Sequence, residues 1–169
     1  MTDDAAFAEA VCAAVERQLE VLPRGAIAAE SWRDFGAVIL LEHFGEAPAL
    51  ADRIAAEHLQ IAVRDADQLA DAIRNAGAIF LGAHTPEVIG DYVAGSNHVL
   101  PTARSARFSS VLDFMKRTST RRLDESPFAA LGPAAMPLAS PGGLDAHRRS
   151  IAVRLGPNAL AADTKKEGA

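Results

Sequence analysis

The segment HLQIAVRDADQLADAIRNAGAIFLG, His58 to Gly82, predicts a strand, a helix and a second strand in succession. Its two ends, HLQIAV and AIFLG, are apolar runs of strand length. Residues 67–75 between them favour a helix, and Gly77 follows at the position where glycine commonly ends one. Strands that alternate with helices are typical of a parallel sheet whose two faces are covered.

The flanking residues extend this pattern in both directions. Upstream, residues 2–22 predict an amphipathic helix, GAVILLE (Gly36 to Glu42) predicts another buried strand, and residues 46–56 predict a helix. Downstream, Thr85-Pro86 opens a helix, and a further helix is predicted over residues 109–118. We therefore expect an α/β fold: a truncated three-layer unit with three or more largely parallel strands.

The residues after 122 differ in character. The stretch ESPFAALGPAAMPLASPGG contains four prolines, which predict short helices broken at Pro133 and Pro137. A last helix is predicted over Leu144–Leu155, followed by a polar tail rich in small residues. We accordingly divide the chain into an α/β domain (1–122), a C-terminal helical arm that serves dimerisation (123–155) and a disordered tail (156–169).

Charge and composition limit the partners and the compartment. The formal net charge of −5 argues against binding of nucleic acid or of an anionic membrane. The basic run from Arg104 to Arg122 could bind a phosphate or carboxylate, but such a run is more often a solvated helix face. No apolar run approaches the roughly 20 residues of a membrane helix. The N-terminus lacks a signal-peptide core and Cys12 is the only cysteine, so we expect a cytoplasmic protein. Because aromatic residues make up only 5%, burial against a second chain is expected.

Residues that could carry chemistry stand in three places. Glu57 and His58 are adjacent at the start of a predicted strand, where the histidine could transfer protons or be structural. GDYVAGSNHVLPT, Gly90 to Thr102, places Asp91 and His98 in a glycine-rich loop of the kind that holds ligands. His147 lies on an apolar helix face, which is more common for a buried structural histidine than for a metal ligand. Dinucleotide, Walker A, nucleophile-elbow and H-E-x-x-H motifs are absent from the sequence.

Several of these segments together resemble the C-terminal part of the histidinol dehydrogenase family. The resemblance runs from about Ala5 to Leu155 and keeps the family's order of motifs. The motifs are AEHLQI, RNAGAIFLG, GDYVAGSNHVLPT, ARFSS, DFMKRTS and GLDAHRRS.

The resemblance implies an activity and a role for each candidate residue. The family oxidises L-histidinol to L-histidine by two hydride transfers to NAD, with one zinc per active site in an intertwined homodimer. Glu57 would activate the water that attacks the aldehyde-level intermediate, and His58 would take protons from the alcohol. Asp91 and His147 would be zinc ligands, the latter reaching across from the other subunit, and His98 would contact the substrate.

The resemblance also has gaps. The family's dinucleotide-binding region and two further zinc ligands, a glutamine and a histidine, precede the part matched here. Gly142 stands where the family has a substrate-contacting glutamate. Three hypotheses follow: a split dehydrogenase completed by a separate N-terminal-half polypeptide, a shortened non-catalytic dimer that binds or regulates, and a different enzyme that uses the pocket for another small-molecule ligand.

Overall fold

The fold is a series of helices interrupted by three short strands. A computed structural model describes residues 1–93 and 118–166, with side chains described as far as residue 163. None of the helices described is long and apolar enough to cross a membrane. In chain order the elements are α1 (Ala5–Leu19), α2 (Gly25–Phe35), a 3-10 turn (Phe44–Glu46), α3 (Ala47–Ile54), β1 (His58–Ile61), α4 (Ala66–Asp71), β2 (Ala78–Leu81), α5 (Glu87–Tyr92), β3 (Ser119–Arg122), α6 (Glu125–Ala139), α7 (Asp145–Leu155) and α8 (Pro157–Lys166).

The three strands form one parallel sheet in the order β1-β2-β3. Their first residues are level with one another, because His58 pairs with Ala78 and Ala78 with Ser119. Parallel strands cannot be joined by a tight turn, and α4 is the crossover element between β1 and β2. The predicted α/β class and the parallel direction of the sheet are confirmed.

Side chains alternate along the strands and give the sheet two different faces. One face is apolar: Ile61, Ile79 and Leu81 form a buried cluster with Ala66 at the start of α4. The opposite face carries a mixed set with one residue from each strand, namely His58, Phe80 and Arg121.

The C-terminal helices share a core with α5. Val88 and Ile89 of α5 pack with Phe128 of α6 and Ile151 of α7. Phe128 and Ile151 are almost completely buried, at 1% and 0% exposure. This core fixes the position of α5 relative to α6 and α7. The division of the chain at residues 122 and 155 stays a prediction.

The prediction of a buried strand over GAVILLE is wrong. Residues 36–42 contain one isolated parallel bridge, between Thr2 and Leu40, and Leu40 is 54% exposed. An apolar run favours extended backbone, but a strand also needs a partner along its length, and the partner of this segment in the described residues is the N-terminal Thr2. The third strand of the sheet is instead β3, where the sequence predicted none.

The prediction that prolines break the helices after residue 125 is also wrong. Pro133 and Pro137 lie inside α6, which runs on to Ala139. Each proline removes a helical hydrogen bond. Close packing against α7 offsets this loss: a Cβ on Gly132 would lie 3.2 Å from a Leu155 methyl group, so the two helices are already in contact there.

The tail predicted to be disordered contains α8. The helix is held to α7 by a buried ion pair, in which Arg148 Nη1 lies 2.9 Å from Asp163 Oδ1. The Asp163 side chain is fully buried. An ion pair that spans two helices was not apparent in a sequence of small and polar residues, and it explains the order of this segment.

Candidate active site

His58 is the first residue of β1 and lies between two carboxylates. Its Nδ1 is 3.0 Å from Glu87 Oε1, and its Nε2 is 3.6 Å from Glu57 Oε1. The imidazole meets the Phe80 ring edge-to-face, with 5.9 Å between the ring centroids. The predicted catalytic pair Glu57 and His58 is therefore joined by a second acid that the sequence analysis did not select.

The helix α5 supplies that acid and is anchored at its start. Thr85 is fully buried; its hydroxyl donates to Leu81 O at 2.6 Å and accepts from Leu123 N at 2.8 Å. These bonds connect Thr85, two residues before the helix, to the carboxyl ends of β2 and β3. Glu87 and Asp91 are four residues apart, so they lie on the same side of α5.

The carboxyl end of α5 meets α7 through Tyr92 and His147. Tyr92 Oη lies 3.1 Å from His147 Nδ1, and the two rings pack edge-to-face. Burial raises the pKa of Tyr92, and the carboxylates of Asp91 and Glu87 raise it further. The phenol therefore stays protonated at neutral pH. With Nδ1 engaged, His147 has Nε2 left for another partner.

Arg121 completes the mixed face of the sheet. Its guanidinium carbon lies 5.6 Å from the centroid of the Phe80 ring, and the residue is 8% exposed. The order along the face is thus Arg121, Phe80 and His58. A cation against an aromatic ring is a favourable contact when it is shielded from water.

The predicted site residues are only partly brought together. Glu57 and His58 are adjacent, Asp91 lies one helical turn from Glu87, and His147 contacts Tyr92, the neighbour of Asp91. Across residues 1–93 and 118–163 no three His, Cys, Asp or Glu side chains form a group that could hold a metal ion. His98 and residues 109–117 of the helix predicted over residues 109–118 lie outside the described residues.

Two cavities bear on the location of a ligand. The larger, about 750 Å³, lies at the carboxyl end of β1 beside Phe7, Phe44 and Arg64, away from His58. A smaller cavity of about 220 Å³ lies between α2 and the start of α7, and His147 forms part of its wall. The chemistry of the side chains, rather than cavity size, therefore indicates the site.

Three residues of this arrangement were missed from the sequence: Glu87, Tyr92 and Arg121. An acid in the first turn of a helix is common, because the positive end of the helix dipole stabilises its negative charge. Glu87 therefore did not stand out in the sequence. A signal for Glu87 was its four-residue spacing from Asp91. Tyr92 and Arg121 had no distinguishing pattern.

Comparison with known proteins identifies the family. A family model described as histidinol dehydrogenase matches residues 1–155. The chain belongs to the histidinol dehydrogenase family. The resemblance found in the sequence motifs is thereby confirmed, and histidinol dehydrogenases are the relatives found at high identity.

The relatives are considerably longer than this chain. Histidinol dehydrogenase from Rhizobium meliloti (strain 1021) is 65% identical over 158 residues, which cover 92% of this chain and 36% of the relative. The enzyme from Brucella abortus (strain 2308) is 63% identical, with 92% and 37% covered. The crystal structure of histidinol dehydrogenase from Elizabethkingia anophelis is similar with a TM-score of 0.55 at 31% identity, over 90% of this chain and 36% of that one. The chain thus spans about 36% of the length of the first relatives it matches.

Proposed function

We propose that this chain supplies the acid–base residues and two zinc ligands of a histidinol dehydrogenase site, which oxidises L-histidinol to L-histidine with NAD. The observation that supports this is the placement of His58 between the carboxylates of Glu57 and Glu87. An imidazole with one nitrogen beside a carboxylate is oriented by it, which leaves the other nitrogen to accept a proton.

The resemblance assigns a role to each of the two proposed catalytic residues, and their surroundings support it. His58 accepts the proton of the alcohol, and a neighbouring carboxylate stabilises the imidazolium that forms. Glu57 is half exposed, so its carboxylate can meet a water molecule and draw a proton from it as that water attacks the aldehyde-level carbon. His98 completes the proposal as the contact to the substrate.

The residues present fit a zinc ion in part. Asp91 and His147 offer the carboxylate and imidazole donors that zinc accepts. Tyr92 at Nδ1 of His147 is a partner of the kind that orients a metal-bound histidine and leaves Nε2 for the metal. A catalytic zinc takes three protein ligands, so further ligands come from elsewhere. When bound, zinc polarises the substrate oxygen and NAD accepts the hydride; no residue described here is assigned to NAD.

The proposal includes an apolar surface on α1 and α2 that another protein covers. Phe7, Ile27 and Phe35 of α1 and α2 are large apolar side chains that are 59–87% exposed. Surfaces of this kind are normally covered by another protein. The proposed cover is a homodimer partner or a separate N-terminal-half polypeptide, and the proposed location is the cytoplasm.

Reconstitution tests the function. The chain is mixed with a polypeptide that carries the upstream part of a relative, and NADH formation from L-histidinol is followed. We expect turnover on mixing, and its loss in Glu57→Gln and His58→Asn. His43→Asn, at an exposed histidine, is the control and keeps full turnover. A mixture that binds but gives no NADH, with both components folded, would contradict the proposal.

Gly142 favours a second candidate, a dimeric non-catalytic relative that binds or regulates. The position is exposed on the turn after α6 and has no side chain where the resemblance places a substrate-contacting glutamate. This candidate predicts a stable dimer of the chain alone that neither gains turnover on mixing nor responds to NAD. Turnover that rises in Gly142→Glu would instead identify a dehydrogenase with a weakened substrate contact.

A further inference from the structure

We propose that Glu87 is the positioning residue of this site: it holds His58 in the Nδ1–H tautomer and makes Nε2 the nitrogen that accepts the proton. This inference rests on the proposed function of His58. It concerns an interaction within the chain, however, so it can be measured without any turnover.

The chemistry of the contact determines the tautomer. A carboxylate only accepts hydrogen bonds, so at 3.0 Å from Glu87 Oε1 the Nδ1 atom of His58 must carry the proton. A neutral imidazole has one protonated nitrogen, and the lone pair then lies on Nε2. The two nitrogens therefore have separate tasks, one holding the ring and the other exchanging protons.

The two carboxylates differ in how they are held. Glu87 begins α5, whose next residues Val88 and Ile89 are 5% and 0% exposed, and whose start is tied to the sheet by Thr85. Glu57 lies in the bend before β1 and its side chain is 50% exposed, against 30% for Glu87. The buried anchoring of α5 suits Glu87 to fixing the ring, and the exposure of Glu57 suits it to meeting water.

Other contacts hold the imidazole in one plane. Phe80 meets the ring edge-to-face from within the sheet, and Arg121 packs against the same Phe80 ring. The Nε2 atom lies 3.6 Å from Glu57 Oε1, which is beyond direct hydrogen-bond length. Glu57 therefore does not fix the ring by a direct bond, and the 3.0 Å contact of Nδ1 with Glu87 Oε1 sets its rotation.

Proton transfer gives Glu87 its second effect. When Nε2 takes the proton of the alcohol, the imidazolium gains a positive charge directly beside the Glu87 carboxylate. This is the task of the carboxylate in the serine protease triad, which orients the histidine and stabilises its charged form without taking the proton. Loss of Glu87 should lower kcat by about 10²-fold or more and change KM little.

Nitrogen NMR of the isolated chain tests the contact directly. We expect His58 to be the Nδ1–H tautomer in the parent, and Glu87→Ala to shift its population toward Nε2–H. Glu125→Ala is the matched control, since Glu125 is also the first-turn acid of a helix and is exposed to solvent. Glu87→Met, of similar length but without an oxygen that accepts a hydrogen bond, serves as a second variant if Glu87→Ala does not fold.

The outcomes separate the two proposals. Nε2–H in the parent, or a tautomer population unaffected by both Glu87 variants, overturns the role of Glu87 whatever the activity. The expected tautomer shift, with kcat reduced in the reconstituted mixture at nearly constant KM, supports it. The expected shift in a mixture whose parent forms no NADH contradicts the dehydrogenase function but leaves Glu87 as the residue that orients His58.

Discussion

Gly77 lies where the chain before β2 passes close to the chain before β1, and an alanine there should loosen the start of the sheet. A Cβ on Gly77 would lie 2.7 Å from the carbonyl oxygen of Glu57. That oxygen accepts a hydrogen bond from Ala78 N at 2.8 Å, and Gly77 N donates to Ala56 O at 3.1 Å. The added methyl group therefore pushes on the backbone of a proposed catalytic residue.

The size of the effect follows from two opposing contributions. Ordinary van der Waals contact begins at 3.4 Å, so the backbone of Glu57 must move, and forced contacts of this kind cost about 1–3 kcal/mol. Alanine also restricts the unfolded chain, which stabilises by about 0.4–1 kcal/mol. The net loss in the free energy of unfolding should be about 1–2 kcal/mol, which lowers Tm by about 2–8 °C in a chain of this length.

Denaturation followed by circular dichroism measures this loss. Gly45→Ala is the matched control, because a Cβ there meets no atom within 4 Å and its backbone needs no positive φ. We expect the control to be as stable as the parent or slightly more so. If Gly77→Ala and Gly45→Ala unfold together, the contact with Glu57 does not constrain the sheet and the reasoning is refuted.

Three further predictions use the same kind of comparison. Asp163→Asn should cost about 3 kcal/mol in denaturant unfolding, since it removes the buried negative charge 2.9 Å from the Arg148 guanidinium, whose other carboxylate, Asp145, is 3.7 Å away. The exposed Asp34→Asn should change stability by less than about 0.5 kcal/mol. Thr85→Val should lower the free energy of unfolding by about 1–3 kcal/mol, because it removes the hydroxyl that bonds to two strand ends. Thr85→Ser keeps the hydroxyl and should lose much less stability. Equal losses in the two variants would contradict the role of the hydroxyl. Zinc titration should show weak binding to the chain alone and one tightly bound zinc per subunit in the reconstituted mixture. Asp91→Ala and His147→Ala should each abolish the tight binding. Tight binding that persists in either variant would exclude that residue as a ligand.

The strand–helix–strand centre of the fold could be predicted because its signals are local. HLQI and AIFL are short apolar runs, and the helical residues between them are polar enough to mark a crossover. Helix α7 was predicted within one residue of its start for the same reason. In each case the residues that decide the structure are close together in the sequence.

The errors arose where a distant partner decides the structure. GAVILLE has the composition of a central strand, yet a strand forms only where an edge is available, and β3 has a polar sequence yet pairs with β2. The prolines of α6 were judged by their local cost, but packing against α7 outweighs it. Local propensity could not reveal either result.

The candidate site divides in the same way. Glu57 and His58 are neighbours in the sequence, so their pairing was visible. The contact of His58 with Glu87 depends on where α5 is placed by Thr85 and by the apolar core that it shares with α6 and α7. The second acid of the site therefore became apparent only once the packing of α5 was known.

The parallel sheet has a consequence for the order in which the chain assembles. The partners α6, α7 and α8 follow one another directly, so their contacts close short loops, whereas β2 and β3 pair only after the chain from 82 to 118 has closed. Contacts that are distant in sequence form slowly. Pulse-labelled amide exchange should protect α7 before β3, and the reverse order would contradict this. The contact between Tyr92 and His147 joins residues 55 positions apart, so it belongs with the slow contacts and marks the arrival of α5 at the C-terminal helices.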